Sequence, residues 1–301
     1  MHDAAIEEPM ATDETAATPL SILIPAYNEA AGIAEVVQRV KAVARDLAGP
    51  WELLVVDDGS SDDTAARAEA AGARVIRHGQ NRGYGAALKT GIRRAAHEQV
   101  LILDADCTYP PEVLPEILAH SKDQDMVVGA RTKGDVQIPL IRRPAKAILR
   151  GLASYLSGYP IPDLNSGLRL MRKEAVNRFL GILPNGFSFT TTITLAMLVS
   201  GLAVSYVPIE YHKRTGRSHI RPIRDTIGFF ALILRTVMHF NPLKIFLPLA
   251  FLFLLAGGAV FGLSWAYLDR PLDTTSLLLM VTGVQLGALG MLADLIARRS
   301  L

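Results

Sequence analysis

Leu20-Ser21-Ile22-Leu23-Ile24-Pro25-Ala26-Tyr27-Asn28-Glu29 is an apolar run that stops abruptly at a phenol, an amide and an acid. Its first part, Leu20–Pro25, is near-continuous rather than alternating. That is the pattern of a strand covered on both faces, as in a parallel sheet. Helical periodicity follows over Glu29–Arg45, and the pairing then repeats. Strand Trp51–Asp57 precedes helix Asp62–Ala71, and strand Ala73–Arg77 precedes helix Tyr84–Ala96. Strand Val100–Leu103 precedes helix Pro111–His120, and Met126–Gly129 is a further strand. Alternation in this order predicts a doubly wound, mostly parallel, Rossmann-like α/β sheet. Such sheets bind ligands beyond the carboxyl ends of their strands. The candidates are therefore the polar residues at each strand mouth: Tyr27-Asn28-Glu29, Asp57-Asp58-Gly59-Ser60, Asn81-Arg82-Gly83-Tyr84-Gly85, Asp104-Ala105-Asp106 and Arg131.

Further along, Lys146–Leu156 reads as an amphipathic helix and Asp163–Gly167 as a polar turn. A short strand, Leu168–Met171, a helix, Ser188–Ser200, and a last strand, Val204–Pro208, follow. Ile223–Phe240 has one apolar face. It either lies in a membrane interface or packs on the domain's own core. Residues 245–268 and 274–293 carry no charge. As helices they would reach about 36 and 30 Å, against a hydrocarbon core of about 30 Å. The alternative is a pair of buried core helices. The short connector Asp269-Arg270-Pro271-Leu272-Asp273 makes the two spans a hairpin. Lys213, Arg214, Arg217, Arg221, Arg224, Arg235 and Lys244 precede it, and Arg298 and Arg299 follow it. The positive-inside rule then places both termini in the cytoplasm. The expected organisation is a disordered acidic leader over 1–18, an α/β domain over 19–220, a juxtamembrane amphipathic helix over 221–242 and two transmembrane helices over 243–297. A formal net charge of +2 in 301 residues gives no case for a nucleic-acid partner. A single cysteine, Cys107, permits no internal disulfide.

Asp104-Ala105-Asp106 is the sharpest local signal. Two carboxylates one residue apart, released from a buried strand, can present oxygens to one divalent cation. Mg²⁺ or Mn²⁺ favours such ligands and completes its shell with phosphate oxygens. Triplets of this kind are otherwise solvated loop ends, and this one gains weight from Asp57-Asp58 at another mouth of the same sheet. An aspartate there can hold a base or ribose by accepting hydrogen bonds. Gly83-Tyr84-Gly85 lacks the third glycine of a dinucleotide fingerprint, with Leu88 in its place, and follows the third strand rather than the first. Its glycines instead suit a tight turn into a helix, with Asn81 and Lys89 able to face a ligand.

Taken together, Ser21–Glu29, Val55–Ser60, Asn81–Ala87 and Asp104–Asp106 resemble glycosyltransferase family 2. The subgroup resembled is the polyprenyl-phosphate sugar synthases of the dolichol-phosphate mannosyltransferase kind, over about Leu20 to Ser218. The resemblance implies a GT-A fold and a Mg²⁺ or Mn²⁺ cofactor. It also implies inverting transfer of a single hexose-type sugar from a UDP- or GDP-linked donor to a polyprenyl phosphate. The place implied is the cytoplasmic face of the inner membrane, and homo-oligomerisation stays open. By the same resemblance Pro25, Tyr27, Glu29, Val56 and Asp58 hold the nucleoside. Asp104, Ala105 and Asp106 meet the diphosphate, with Asp104 and Asp106 as metal ligands. Arg131 lies near the phosphates, as do Asn165–Arg169 and Lys213–Ser218. The implied catalytic set is Asp104, Asp106, Arg131, Arg169 and Arg214, with Lys213 and Arg214 also on the donor.

Two departures stand out. Thr108 occupies the position of a glutamine that commonly helps dolichol-phosphate mannosyltransferases bind metal. Phe189–Thr194 holds no acid where many relatives carry a base. A hydroxyl acceptor needs a general base. A phosphate monoester has a second pKa near about 6 and attacks without one. The chain also lacks the Gln-x-x-Arg-Trp pattern of processive synthases, which favours single-sugar transfer. Two other readings stay open: transfer to a lipid hydroxyl such as diacylglycerol or a sphingoid head, with an unassigned carboxylate such as Asp163 as base, and a non-catalytic membrane subunit that keeps the fold.

Overall fold

The computed structural model describes residues 19–133, 150–155, 157–211, 234–239, 241–268 and 274–299. The expected leader, most of the juxtamembrane helix, Lys213, Arg214 and the hairpin connector lie outside the described residues.

Seven strands form one sheet. They are β1 Leu20–Ala26, β2 Trp51–Asp57, β3 Arg74–Arg77, β4 Gln99–Ile102, β5 Met126–Lys133, β6 Arg169–Arg172 and β7 Val204–Glu210. Their order is β3-β2-β1-β4-β6-β5-β7. Neighbours are parallel from β3 to β4 and between β5 and β7, whereas β6 runs antiparallel to both β4 and β5. The mostly parallel sheet is thus interrupted by one reversed strand, inserted between β4 and β5 from much later in the chain.

The helices are α1 Ile33–Ala44, α2 Thr64–Ala70, α3 Tyr84–Arg94, α4 Leu114–Ala119, α5 Lys173–Asn177 and α6 Phe189–Val199, with residues 150–155 also helical. Successive strand residues point to opposite faces, and both faces are apolar. Leu20, Ile22 and Ile24 of β1, with Leu53 and Val55 of β2, pack against Ile33, Val36, Val37 and Val40 of α1. Leu23, Leu54 and Val56 on the other face pack with Leu88 and Ile92 of α3 and with Phe189 and Ile193 of α6. Each such fully buried aliphatic contributes roughly 1.5–3 kcal/mol. Burial on both faces explains the unbroken apolar strands. Helix α1 starts later than its periodicity predicts. Asn28 takes a left-handed φ of 55°, and a turn closes with the Gly32 N–H on the Glu29 carbonyl at 3.1 Å.

Two long helices close the described chain, α7 Leu243–Leu268 and α8 Thr274–Arg299. In their most apolar stretches only 11% and 17% of residues are buried, and both helices are long and apolar enough to cross a membrane. Phe251, Leu252, Trp265, Val284 and Met291 are all exposed, so neither helix is enclosed in the core of this chain. The two helices pack closely through small residues. A Cβ at Gly283 would fall 2.7 Å from Leu254 Cγ and 2.9 Å from the Ala250 carbonyl. A separate small core joins the hairpin to the sheet domain. Ala153, Ile161, Leu195, Leu198 and Val237 cluster, with Ile245 of α7 packed against them. The described part of Ile223–Phe240, residues 234–239, therefore packs on the domain through Val237, with Arg235 exposed.

Candidate active site

The mouths of β1 and β2 are tied into one rim. Asn28 donates its N–H to Ser60 Oγ at 2.9 Å, and Asn28 Oδ1 accepts the Ser61 N–H at 2.9 Å. Glu29 donates its N–H to Thr64 Oγ1 at 2.9 Å, and Ala30 its N–H to Asp62 Oδ2 at 3.2 Å. Tyr27 stands out from this rim, 46% exposed. Pro25 and Val56 lie within the strands, and the Val56 side chain is wholly inside the core shared with α3.

Asp58 is only 2% exposed. Its Oδ1 meets His78 Nδ1 at 2.6 Å and accepts the Arg82 N–H at 3.0 Å, and its Oδ2 accepts the Gly83 N–H at 2.7 Å. It therefore shapes the loop that leads into α3. His78 Nε2 lies 2.9 Å from Thr90 Oγ1 and braces the same loop from the other side. Asp57 accepts hydrogen bonds from the Ser60 N–H and hydroxyl. A cavity of about 340 Å³ opens here, lined by Asp57, Gly59, Ser60, Asp62, Arg77 and His78 among others.

Asp104 and Asp106 emerge half-buried just beyond β4. Tyr84, the first residue of α3, donates its hydroxyl to Asp104 Oδ1 at 2.8 Å. Burial, reinforced by the Asp104 charge, pushes the Tyr84 phenol well above its ordinary range and keeps it a donor. Gly167 closes on the same carboxylate, since a Cβ there would fall 2.0 Å from Asp104 Oδ2. The Gly167 N–H donates to the Tyr109 hydroxyl at 2.7 Å, and the Ser166 hydroxyl to the Gly129 carbonyl at 2.6 Å. Asp106 Oδ1 accepts the Thr108 N–H at 3.2 Å and its hydroxyl at 2.5 Å. Thr108, expected only as the loss of a metal-binding glutamine, thus orients Asp106.

Among the described residues no group of three or more His, Cys, Asp or Glu side chains converges as a closed metal cage. Two carboxylates at a strand mouth fit a hard cation that takes its remaining ligands from phosphate oxygens and water.

The arginines are placed differently from what their motifs suggest. Arg131 grips Asp163, with Nε to Oδ2 at 2.6 Å and Nη2 to Oδ1 at 2.8 Å. Its guanidinium also lies 5.1 Å from the Tyr211 ring centroid. Burial would lower the affinity of Arg131 for its proton, but the hydrogen bond to Asp163 outweighs this and raises it. Arg169 is 0% exposed. It donates to the Ser166 carbonyl at 2.7 Å, the Leu164 carbonyl at 3.0 Å and Thr194 Oγ1 at 2.6 Å. Burial pulls its pKa below the ordinary value. From there Arg169 braces the 164–166 segment, with its guanidinium closed off inside the fold. The acid-free stretch of α6 serves this same segment, because the Thr191 hydroxyl donates to Asn165 Oδ1 at 2.6 Å.

Residues 184–187 complete the site. A Cβ at Gly83, where φ is 100°, would fall 2.4 Å from the Asn185 carbonyl oxygen, so only glycine allows this approach. Lys89 donates to Asn185 Oδ1 at 2.9 Å. Phe187, 76% exposed, stacks on Tyr84 with ring centroids 5.4 Å apart. Sequence reasoning gives Tyr84 no role beyond its place in a strand-mouth motif, and does not pick out His78 or Phe187. Tyr84 sits inside a quoted motif, but its partner is twenty residues away.

The sheet order, the reversed β6 and the carboxylates at the mouth of β4 define a GT-A-like fold. Residues 21–180 match glycosyl transferase family 2, and the chain belongs to that family. Residues 241–298 match the GtrB C-terminal hairpin. The chain is 29% identical over 305 residues to an undecaprenyl-phosphate 4-deoxy-4-formamido-L-arabinose transferase of Pseudomonas fluorescens, covering 93% of this chain and 85% of that one. It is 33% identical over 205 residues to a dolichyl-phosphate hexose transferase of Haloferax volcanii, covering 67% of this chain and 87% of that one. The fold is similar to glucosyl-3-phosphoglycerate synthase of Mycobacterium tuberculosis, solved with Mn²⁺, UDP-glucose and phosphoglyceric acid. That likeness has a TM-score of 0.58 at 22% identity and covers 73% of this chain and 80% of the other.

Proposed function

We propose that this glycosyltransferase moves one hexose-type sugar from a UDP- or GDP-linked donor to a polyprenyl phosphate, with inversion, at the cytoplasmic face of the inner membrane. The observation that carries the phosphate acceptor is the Arg131–Asp163 pair. Asp163 is a carboxylate that could serve a hydroxyl-accepting enzyme as base, and it is closed in a bidentate ion pair. Burial raises its pKa, but the hydrogen bonds and charge of Arg131 outweigh this and hold it at about 2. Such a group does not take a proton near neutrality. A lipid phosphate does not need one taken. The two relatives, named for undecaprenyl-phosphate and dolichyl-phosphate, support the same acceptor class.

In this mechanism a phosphate oxygen of the lipid attacks the anomeric carbon of the donor sugar. The bond to the nucleoside diphosphate breaks on the opposite face. Tyr27 and Glu29 belong to the rim that would hold the nucleoside, and Asp58 would support it from behind by fixing the loop into α3. Asp104 and Asp106 would hold Mg²⁺ or Mn²⁺, which offsets charge on the departing diphosphate. Lys213 and Arg214 would meet the phosphates as cations, by the motif they belong to. The hairpin would keep the site at the headgroup plane, with both termini cytoplasmic. The test is purified protein in lipid nanodiscs, given a panel of nucleotide sugars with undecaprenyl phosphate. A lipid-phosphate sugar formed with one donor, and abolished by chelator, is expected. Full turnover in excess chelator contradicts the metal, and no product from any donor contradicts the transfer.

A further inference from the structure

Asp104 is held from two sides. The Tyr84 hydroxyl bonds Oδ1 at 2.8 Å, and the Gly167 backbone closes on Oδ2. The Tyr84 ring is itself fixed. It stacks on Phe187 at an interplanar angle of 20°. Phe187 belongs to a segment bolted to the start of α3, where the Ala86 N–H donates to the Asn185 carbonyl at 3.1 Å and Lys89 to Asn185 Oδ1 at 2.9 Å. A Cβ at Gly85 would lie 2.3 Å from the Pro184 carbonyl oxygen, so this contact is backbone against backbone. The tyrosine is therefore aimed at Asp104 by rigid surroundings.

We propose that Tyr84 is a positioning residue that sets the Asp104 carboxylate in the rotamer needed to capture a divalent cation. A carboxylate oxygen has two acceptor directions. Tyr84 occupies one on Oδ1 and so restrains rotation of the group before a cation arrives. A carboxylate fixed before binding loses less conformational freedom when the cation arrives. This rests on the reading of Asp104 and Asp106 as the cation site.

The test is Tyr84→Phe, which removes the hydroxyl and keeps the stack. Mn²⁺ binding to metal-free protein is read from the electron paramagnetic resonance of unbound Mn²⁺, with and without UDP, beside the thermal midpoint. The expected result is a Mn²⁺ dissociation constant raised about tenfold, the scale of one hydrogen bond to a charged group, with an unchanged midpoint. Phe187→Leu removes the stack but keeps the hydroxyl, and should give a smaller rise. Native Mn²⁺ affinity in Tyr84→Phe overturns the proposal. So does an equal loss in both variants, which would make packing the cause. Asp106→Ala separates the two levels. If it too binds Mn²⁺ like the native protein, the cation site itself is misplaced; if it loses Mn²⁺ while Tyr84→Phe does not, only the role of Tyr84 fails.

Discussion

Arg131 and Asp163 form a closed, two-pronged ion pair at the edge of the site, with contacts of 2.6 and 2.8 Å between side chains that are largely buried. The Asp163 carboxyl is held at about 2, against an ordinary value of 3.8. A carboxyl depressed in the folded state adds stability that is fully present above its unfolded pKa. That stability is lost as pH falls through the folded value. The window here runs from about pH 4 down to about pH 2, and the contribution is on the order of 2 kcal/mol. Asp163→Asn should flatten the fall of the thermal midpoint over this window, measured in detergent at several pH values. Parallel curves for the two proteins would show that the pair does not act this way.

Gly167→Ala tests the closure on Asp104. The new Cβ would meet Asp104 Oδ2 at 2.0 Å, a distance that forces the carboxylate or the loop to move. Activity should drop by more than about tenfold, and the midpoint should also fall, because the added methyl overpacks a buried position. Native turnover in this variant would mean that the position of Asp104 does not matter.

Arg169 invites a kinetic test. Its donors go to Leu164, Ser166 and Thr194 inside the fold, so Arg169→Met should lower kcat through a loosened 164–167 segment. Replacement of a buried cation by an apolar side chain of similar volume is often tolerated in folding. The KM for polyprenyl phosphate should stay within about threefold of native, because no direct phosphate bond is lost. A large rise in that KM at constant kcat would instead put the guanidinium on the phosphate.

The hairpin makes a topological prediction. With Cys107 replaced by serine, a cysteine introduced at Leu272 should react with a membrane-impermeant maleimide added outside spheroplasts. Labelling only after the inner face is exposed would reverse the orientation drawn from the basic flanks.

The fold was largely legible because both sheet faces are covered. Leu20–Ala26 and Trp51–Asp57 stay apolar along their whole length or nearly so, and helical periods separate them. The carboxylates at the mouths of β2 and β4 were legible for the same reason, as polar residues released by buried strands. The arginines were not. Arg169 lies in a motif that suggests a phosphate, but β6 runs antiparallel between β4 and β5, and the side chain enters the interior. Strand direction leaves no mark in a four-residue segment. The partner of Arg131 is hidden by distance along the chain, since Asp163 lies thirty-two residues away. The role of Tyr84 is not legible, because a motif read for its glycines says nothing of where the residue between them points.

The acceptor decides between phosphate attack and base-assisted attack by a hydroxyl. With one productive nucleotide sugar as donor, initial rates on polyprenyl phosphate, the matching dephosphorylated polyprenol and diacylglycerol are to be compared in the same nanodiscs. Polyprenyl phosphate should be glycosylated at least about a hundredfold faster, the lower end of what a general base contributes to hydroxyl attack, and the product should be a sugar phosphodiester with inverted anomeric configuration. Equal rates on polyprenol or diacylglycerol would contradict phosphate attack and require a base that Asp163, closed on Arg131, does not supply.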